Sequence, residues 1–300
     1  MFSLKIIEKK QLEMSAFVKT FFDEVTKNAT HVVHDPLSKS CVIIDTVLDF
    51  NFSSGKTGTL SADKVISYAL KKKLTTEWIL ETHIHADHLT AAPYVQEKLG
   101  GKIGIGAGVV EVQENFRKIY NHGSELSTDG SQFDRLFSDE EIFSLGNLEV
   151  RVIHTPGHTP ACVTYVIGDT AFTGDTFLMP DLGTGRCDFP GGSAEQLYES
   201  LVKILSLPPN TKLFLNHDYG FQGKRKYGWE TTVAEQREAN IHIGGSKTAA
   251  EFVAMRNDRD STLSVPNLIL AAIQVNMRAG RLPTAEDNGV RYLRIPLNVL

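Results

Sequence analysis

Three histidines and one aspartate lie within six residues of the sequence, at His83, His85, Asp87 and His88. In an extended segment successive side chains alternate, so His83, His85 and Asp87 can point to one side while Ile84 points into a core. One or two histidines in a core are often only structural, but this density, in a chain with ten histidines, is typical of a metal site. Imidazole and carboxylate groups suit Zn²⁺, Mn²⁺ or Fe²⁺.

Three further candidate ligands follow predicted strands. His158 lies in His-Thr-Pro-Gly-His-Thr, where Pro156 and Gly157 predict a sharp turn that can aim the imidazole. Asp175 lies in Thr-Gly-Asp-Thr and His217 in Asn-His-Asp-Tyr. No cluster of cysteines accompanies these residues, which argues against a structural zinc site.

Strands alternate with helices along the chain, which predicts an α/β fold with its site at the edge of a sheet. The predicted strands are 31–34, 41–47, 78–80, a glycine-rich strand and turn at 101–108, 148–153, 161–167, 170–173 and 212–216. The predicted helices are 61–73 with Ser61 as a cap, about 90–99, 193–206 and about 231–240. The last fifty-odd residues differ, with an amphipathic stretch around 249–253 and a helix start at 266–267, and we interpret them as an extension packed on the core.

Composition excludes several classes of function. Hydrophobic residues make up 41% and charged residues 22% of the 300 residues, which is ordinary for a globular chain, and the net charge of −5 argues against nucleic acid as a partner. Cys41, Cys162 and Cys187 are odd in number and lack C-x-x-C spacing, which predicts a reducing, cytoplasmic location without disulfides. The N-terminus has neither a signal-peptide pattern nor a membrane span, so we expect no membrane partner.

The series His83-x-His85-x-Asp87-His88, His158, Asp175 and His217 resembles the metallo-β-lactamase superfamily, in chain order and over most of residues 30–220. The resemblance implies an αββα sandwich with the metal at one edge. We therefore expect a metallo-β-lactamase domain over residues 1–244 and a C-terminal extension, residues 245–300, packed on the same domain. A non-catalytic member of the fold is disfavoured because no candidate ligand is missing.

Within that superfamily the chain is most similar to the bacterial β-lactamase-like persulfide dioxygenases. The likeness lies in His85, in Ala86 and in the stretches 102–106, 183–189 and 216–219. It implies that His83, His158 and Asp175 hold one Fe²⁺ ion at which O₂ oxidises glutathione persulfide, or a related small persulfide, to sulfite and thiol. His85, Asp87, His88 and His217 would then orient ligands and move protons.

The same residues fit a second activity. In dinuclear hydrolases of this fold the equivalent residues complete a two-zinc site that generates hydroxide. The residues themselves therefore leave a zinc thioesterase of glyoxalase II type as the alternative, and only the resemblance favours one iron. A β-lactamase in the strict sense is disfavoured by the missing export signal.

Candidate substrate contacts are Arg186, Cys187 and Tyr219. Arg186 suits a substrate carboxylate, but it can equally pair with Asp188 to brace the loop. Cys187 can carry a persulfide sulfur, although a buried filler is the favoured interpretation. The basic run 224–226 fits a solvated loop better than a substrate contact, and the glycines of 104–108 lack a complete dinucleotide-binding pattern. We expect Trp229 and the apolar stripe 268–275 to be core or subunit contact, and a homodimer.

Overall fold

A computed structural model describes residues 15–220 and 225–299 of the chain. In these residues the strands are, in chain order, β1 (Phe17–Asp23), β2 (Asn28–His34), β3 (Ser40–Ile44), β4 (Val47–Asn51), β5 (Lys56–Gly58), β6 (Thr75–Leu80), β7 (Leu89–Thr90), β8 (Lys102–Gly106), β9 (Arg135–Phe137), β10 (Ile142–Leu145), β11 (Leu148–His154), β12 (Val163–Ile167), β13 (Thr170–Phe172), β14 (Lys212–Phe214) and β15 (Glu230–Thr232).

The helices of the same residues are α1 (Leu60–Lys72), α2 (Ala92–Leu99), α3 (Val109–Tyr120), α4 (Ala194–Leu205), α5 (Val233–Ala239), α6 (Ala249–Asp260) and α7 (Ile269–Asn276). Short 3-10 turns lie at Gly123–Glu125 and Gly174–Thr176. The caps follow local chemistry: Ser193 accepts from the backbone N–H of Gln196 at the start of α4, and Thr232 and Thr248 form capping boxes at α5 and α6.

Two six-stranded sheets form the centre of the fold. Their strand orders are β1-β2-β3-β6-β8-β9 and β10-β11-β12-β13-β14-β15, and a small third sheet has the order β5-β4-β7. The neighbours β3, β6, β8 and β9 run parallel, whereas β10 to β13 form an antiparallel meander. Parallel neighbours need crossovers, and α1, α2 and α3 lie in the crossovers of the first sheet.

Alternation along the strands divides the core into layers. In β2 and β3, Val33 and Val42 pack between the two sheets against Val150 and Tyr165, while their sequence neighbours Val32 and Ile43 face α1, α2 and α3. Because both faces of these strands are covered, they are buried over their whole length.

The outer face of the second sheet is covered by α4 and by part of the C-terminal extension. Ala171 and Leu213 of that sheet pack in one cluster with Leu197 and Leu201 of α4 and Phe252 of α6. The layers are therefore helix, sheet, sheet, helix, and the αββα sandwich expected from the sequence is confirmed.

Two local predictions are wrong. The predicted strand 41–47 is two strands, because Asp45 has a left-handed backbone (φ 55°) that ends β3 and turns the chain into β4. The carboxylate of Asp45 bonds to Thr82, far along the chain, so no local turn signal predicts this break. Ser61 is not the cap of α1, which begins one residue earlier at Leu60, and the N-cap position belongs to Thr59.

The extension beyond residue 245 contributes two helices and a tail. α6 packs on α4, with the rings of Tyr198 and Phe252 5.7 Å apart, and α7 packs on β7. Most of the stripe predicted at 268–275 is buried, at Ile269 and at 271–275 of α7, and Trp229 stacks on Phe22 at 5.6 Å. None of the described helices is long and apolar enough to cross a membrane, and the expectations for the N-terminus fall on residues 1–14, outside the described residues.

Candidate metal centre

The histidine-rich segment is a loop between β6 and β7, not the extended strand expected from the sequence. Ile84 nevertheless packs into the core, as predicted, and His83, His85 and His88 are all buried. The chain does not turn directly into a helix after His88, because β7 intervenes before α2 begins at Ala92. The loop shape lets neighbouring imidazoles point in different directions around one centre.

His83, His158 and Asp175 form one compact group of potential ligands. Oδ2 of Asp175 lies 3.8 Å from Nε2 of His83 and 3.5 Å from Nε2 of His158. His158 follows the turn of Gly157, whose φ of 139° and close approach to the backbone of Leu197 leave no room for a side chain. Asp175 lies in the short turn after β13.

His85, Asp87, His88 and His217 form a second group beside the first. Oδ2 of Asp87 lies 3.3 Å from Nδ1 of His88 and 3.2 Å from Nε2 of His217. Asp175 joins the two groups, because its Oδ1 lies 3.6 Å from Nε2 of His217. The structure thus brings together all seven residues that the sequence proposes as ligands or as their neighbours.

Four of the imidazoles are held through Nδ1, that of His88 by the carboxylate of Asp87 at 3.3 Å. His158 and His217 donate from Nδ1 to the backbone carbonyls of Arg186 (2.6 Å) and Lys27 (3.1 Å). A carbonyl can only accept, so these two contacts fix the proton on Nδ1 and leave Nε2 as the metal-binding atom. His83 Nδ1 lies 3.0 Å from the hydroxyl of Thr82, and its Nε2 likewise faces the other ligands.

Asp45 organises the loop, although no pattern in the sequence marks it as part of the site. This fully buried carboxylate accepts from the backbone and side chain of Thr82, from Nε2 of His85 at 2.9 Å and from the amide of Asn216. Glu81, also buried, places Oε2 3.3 Å from the same His85 nitrogen. A lone acidic residue at a strand end has no local pattern to mark it, and only the unfavourable left-handed backbone of Asp45 would distinguish it.

Two effects set the pKa values of the buried histidines. Burial disfavours the charged imidazole, and nearby carboxylates favour it. Burial lowers the pKa of His83 well below its ordinary value, as do the neighbouring imidazoles of His85 and His158, so His83 is neutral. Burial also disfavours the charged form of His85, but the charge and hydrogen bond of Asp45 raise its pKa well above the ordinary value. His217 behaves similarly: against burial, Asp175 and Asp87 raise its pKa to about 9.

The donor set fits a resident metal ion. The second ring nitrogens of His83, His85, His88 and His217, together with Oδ1 of Asp175, are buried without a hydrogen-bond partner in the described part of the chain. Buried polar atoms in native proteins are almost always paired, and five such atoms, spread over the two neighbouring groups, are what one or two bound cations would satisfy. The nitrogen and oxygen donors suit Fe²⁺ or Zn²⁺.

The proposed substrate contacts differ in their surroundings. Arg186 pairs with Asp188 at 2.5 Å and donates to the carbonyl of Ser264, so it braces its loop, as the alternative interpretation holds. Cys187 is buried, and burial, together with Asp260, raises the pKa of its thiol far above the ordinary value. Tyr219 is more than half exposed, and its ring lies parallel to that of His217 at 5.6 Å.

The basic run is only partly described, since Lys224 lies outside the described residues. Arg225 forms ion pairs with Asp181 (2.6 Å) and Asp218 (2.5 Å). The guanidinium is therefore engaged within the protein, which favours a structural role for this residue. Cys41 and Cys162 are buried, as expected of core residues.

The fold and the paired ligand groups define a metal-dependent enzyme class, and comparison with known proteins agrees. The family model of the metallo-beta-lactamase superfamily matches residues 25–217, and the chain belongs to this superfamily. All seven residues of the site lie within the matched range.

Curated relatives carry different names. A "Probable metallo-hydrolase" of Burkholderia pseudomallei is 50% identical over 94% of this chain and 99% of its own, and "Glyoxylase B2" of Dictyostelium discoideum is 50% identical over 95% of this chain and 98% of its own. Human "Persulfide dioxygenase ETHE1, mitochondrial" is 31% identical over 89% of this chain and 91% of its own. Among solved structures, ETHE1 from Myxococcus xanthus has a TM-score of 0.70 at 28% identity, covering 88% of this chain and all of that one.

Proposed function

We propose that this protein is a persulfide dioxygenase with one Fe²⁺ ion per chain, held by His83, His158 and Asp175. The observation that carries the proposal is the convergence of these three side chains on one point. Two imidazoles and one carboxylate on one face are typical of non-haem iron oxygenases, because they leave positions open for further ligands. Similarity to proteins named ETHE1 over nearly nine-tenths of the chain supports it.

The overall reaction would consume one small persulfide, one O₂ and one water. The terminal sulfur gains three oxygen atoms and leaves as sulfite, the sulfur–sulfur bond breaks, and the carrier is released as the thiol: RSSH + O₂ + H₂O gives RSH + SO₃²⁻ + 2 H⁺. When bound, iron supplies a centre at which oxygen and sulfur can exchange electrons, a property that side chains lack.

The residues of the chain would supply orientation and proton handling. Asp45 and the carbonyl of Arg186 hold His85 and His158 in place. His217 and Asp87, 3.2 Å apart, form a pair beside the ligands, in which the raised pKa of His217 keeps the imidazole protonated, so that it can donate to a substrate or product anion. The phenol of Tyr219 stays protonated, because burial of its polar end and the charges of Asp175 and Asp87 raise its pKa well above the ordinary value, so it can donate to a substrate anion.

A second candidate is a dinuclear zinc thioesterase of glyoxalase II type. The group of His85, Asp87, His88 and His217 favours it, because these residues can hold a second ion next to the first. The relative named Glyoxylase B2, 50% identical, gives it further support.

The deciding experiment is anaerobic purification with Fe²⁺ retained, followed by metal analysis and an oxygen electrode. About one iron per chain, with O₂ uptake on addition of glutathione persulfide and sulfite as product, is the expected result. About two zinc ions per chain with hydrolysis of S-lactoylglutathione, and no O₂ uptake by the iron form, would contradict the proposal and favour the thioesterase.

Replacement of a proposed ligand sharpens the test. His158→Ala should abolish iron binding and lower O₂ uptake by more than about 100-fold, beyond what loss of a supporting residue causes. His154→Ala is the matched control, because His154 lies four residues earlier and its imidazole bonds to the backbone carbonyl of Phe137, at 2.9 Å, away from the ligands. Equal iron content in both variants would exclude His158 as a ligand.

A further inference from the structure

We infer that the C-terminal extension supports the metal centre, because its hydrogen bonds hold in place both loops that carry the proposed ligands. Asn276 of α7 bonds to the loop of His85 and His88. Arg256 and Asp260 of α6 bond to the loop in which the carbonyl of Arg186 orients His158. The inference rests on the metal site of the proposed function but is independent of the reaction catalysed there.

The side-chain amide of Asn276 makes three hydrogen bonds to one loop. Its Nδ2 donates to the backbone carbonyls of His85 and His88, both at 2.8 Å, and its Oδ1 accepts from the backbone N–H of Thr90 at 2.9 Å. The residue is 2% exposed, so water does not replace these bonds easily. A group that donates twice and accepts once is an amide, and no other side chain of this size does so.

The contact with Thr90 continues to the imidazole of His85. The Thr90 hydroxyl donates to Oε1 of Glu81 at 2.5 Å, and the other oxygen of Glu81 lies 3.3 Å from Nε2 of His85. Asn276 therefore fixes His85 twice, through the backbone carbonyl directly and through the chain of Thr90 and Glu81. The proposed ligand His83 lies two residues before His85 in the same loop, so these contacts also limit how far its imidazole can move.

A second set of contacts joins α6 to the loop of residues 184–187. The guanidinium of Arg256, 1% exposed, donates to the carbonyls of Thr184 (3.1 Å) and Gly185 (3.3 Å) and pairs with Asp260 at 2.6 Å. The other oxygen of Asp260 accepts from the backbone N–H of Cys187 at 2.8 Å. The buried ion pair of Arg256 and Asp260 therefore contacts the backbone immediately before Arg186, at Gly185, and immediately after it, at Cys187.

That loop is in direct contact with two ligands. The carbonyl of Arg186 accepts from Nδ1 of His158, and the N–H of Gly185 donates to the carbonyl of Asp175 at 3.0 Å. A Cβ atom at Gly185 would collide with the same carbonyl, so the loop has no freedom to shift without moving Asp175. Loss of the Arg256–Asp260 pair should therefore disturb His158 and Asp175 together.

The test measures affinity for Co²⁺, by competition with a chromophoric chelator, and the visible spectrum of the Co²⁺ protein, in four variants. Asn276→Leu and Arg256→Met remove the hydrogen bonds and keep the approximate volume. Gln274→Leu is the control for α7, because the Gln274 amide also makes three bonds, to Leu270 and Arg294 only. Arg259→Met, on the exposed side of α6, is the control for Arg256.

We expect Asn276→Leu and Arg256→Met to weaken Co²⁺ binding by about 10-fold or more and to shift the Co²⁺ absorption bands. Gln274→Leu should lower the melting temperature but leave the Co²⁺ affinity and the spectrum unchanged. Arg259→Met should leave the melting temperature, the affinity and the spectrum unchanged. Wild-type affinity in both test variants, or an affinity loss that follows the melting temperature in all four, would overturn the inference.

If Asn276→Leu or Arg256→Met fails to fold, Asn276→Asp and Asp260→Asn replace them, because they keep the side-chain shape and change the donors and acceptors. Each also changes the charge by one unit, so the Co²⁺ absorption bands, and not the affinity, are then compared. The failure of the proposed function has a different signature. A wild-type protein that binds Co²⁺ and Fe²⁺ but consumes no O₂ with glutathione persulfide would refute the function and leave this inference standing.

Discussion

At the scale of single residues, the candidate ligands could be identified from the sequence, and the residues that support them could not. His83, His85, Asp87 and His88 stand out because imidazoles are rare and here lie within six residues. Asp45 and Asn276 have no such density around them, and Asn276 meets its partner His85 191 positions away in the chain. Contacts of this kind depend on the folded topology, so no local pattern in the sequence marks the residues that make them.

The state of Cys187 gives a prediction at this scale. The thiol is buried with a pKa raised by that burial, and nucleophilic sulfur chemistry requires the thiolate. Cys187→Ser should therefore retain persulfide-dependent O₂ uptake within about twofold, a change small beside the loss expected for a ligand. Loss of uptake in Cys187→Ser with unchanged iron content would restore a sulfur-transfer role for this residue.

At the scale of elements, the sequence located most strands and helices but not the breaks between them. The stretch 41–47 is apolar apart from Asp45 and Thr46, so it predicted one strand, whereas the chain ends β3 at Ile44 and brings the carboxylate of Asp45 to the site. The position of α4 was predicted as the helix 193–206, and α6 begins at the predicted amphipathic stretch around 249–253. Where an element must stop early to place a functional group, periodicity alone misses the stop.

Asp35 links two hairpins, and its charge makes that link dependent on pH. Its carboxylate, in the turn between β2 and β3, accepts from the hydroxyl of Ser38 and from the backbone N–H of Asn147, in the turn between β10 and β11. Burial alone would raise the pKa of Asp35, but these hydrogen bonds, Asn147 foremost, lower it to about 2. A lowered pKa means that the stabilisation is present above the unfolded-state pKa of about 4 and is lost as pH falls towards 2.

Asp35→Asn should therefore lower the free energy of unfolding by about 1 to 2 kcal/mol at pH 7. The difference from wild type should shrink below pH 4, as measured by urea denaturation at several pH values. Asp258→Asn, at an exposed position, should have no comparable effect. A difference that stays constant from pH 7 to pH 3 would show that the charge of Asp35 is not responsible.

At the scale of the whole molecule, the predicted division into residues 1–244 and an extension follows a change in the sequence pattern. The side chains of the two parts nevertheless pack together in shared clusters. Five large apolar side chains of the extension are buried: Phe252, Ile269, Ile273, Val275 and Met277. At about 1.5 to 3 kcal/mol each they contribute about 7 to 15 kcal/mol, which equals the net stability of a typical domain. The prediction that the extension packs on the same domain can therefore be tested by truncation.

A chain ending at Gly244 should lack cooperative thermal unfolding and near-UV circular dichroism, because it exposes the apolar faces that α6 and α7 cover. A chain ending at Arg281, which keeps both helices, should fold, and the full-length chain should unfold in a single transition. Cooperative folding of the chain ending at Gly244 would instead identify residues 245–300 as a separate unit.

The position of Asn276, 188 residues after His88, has a consequence for biosynthesis. Those residues take about 10 to 40 seconds to translate at roughly 5 to 20 residues per second. Throughout that interval the nascent histidines lack the amide that holds their loop, and His217 has to emerge as well. An ion that depends on this support would be held firmly only after Asn276 has left the ribosome.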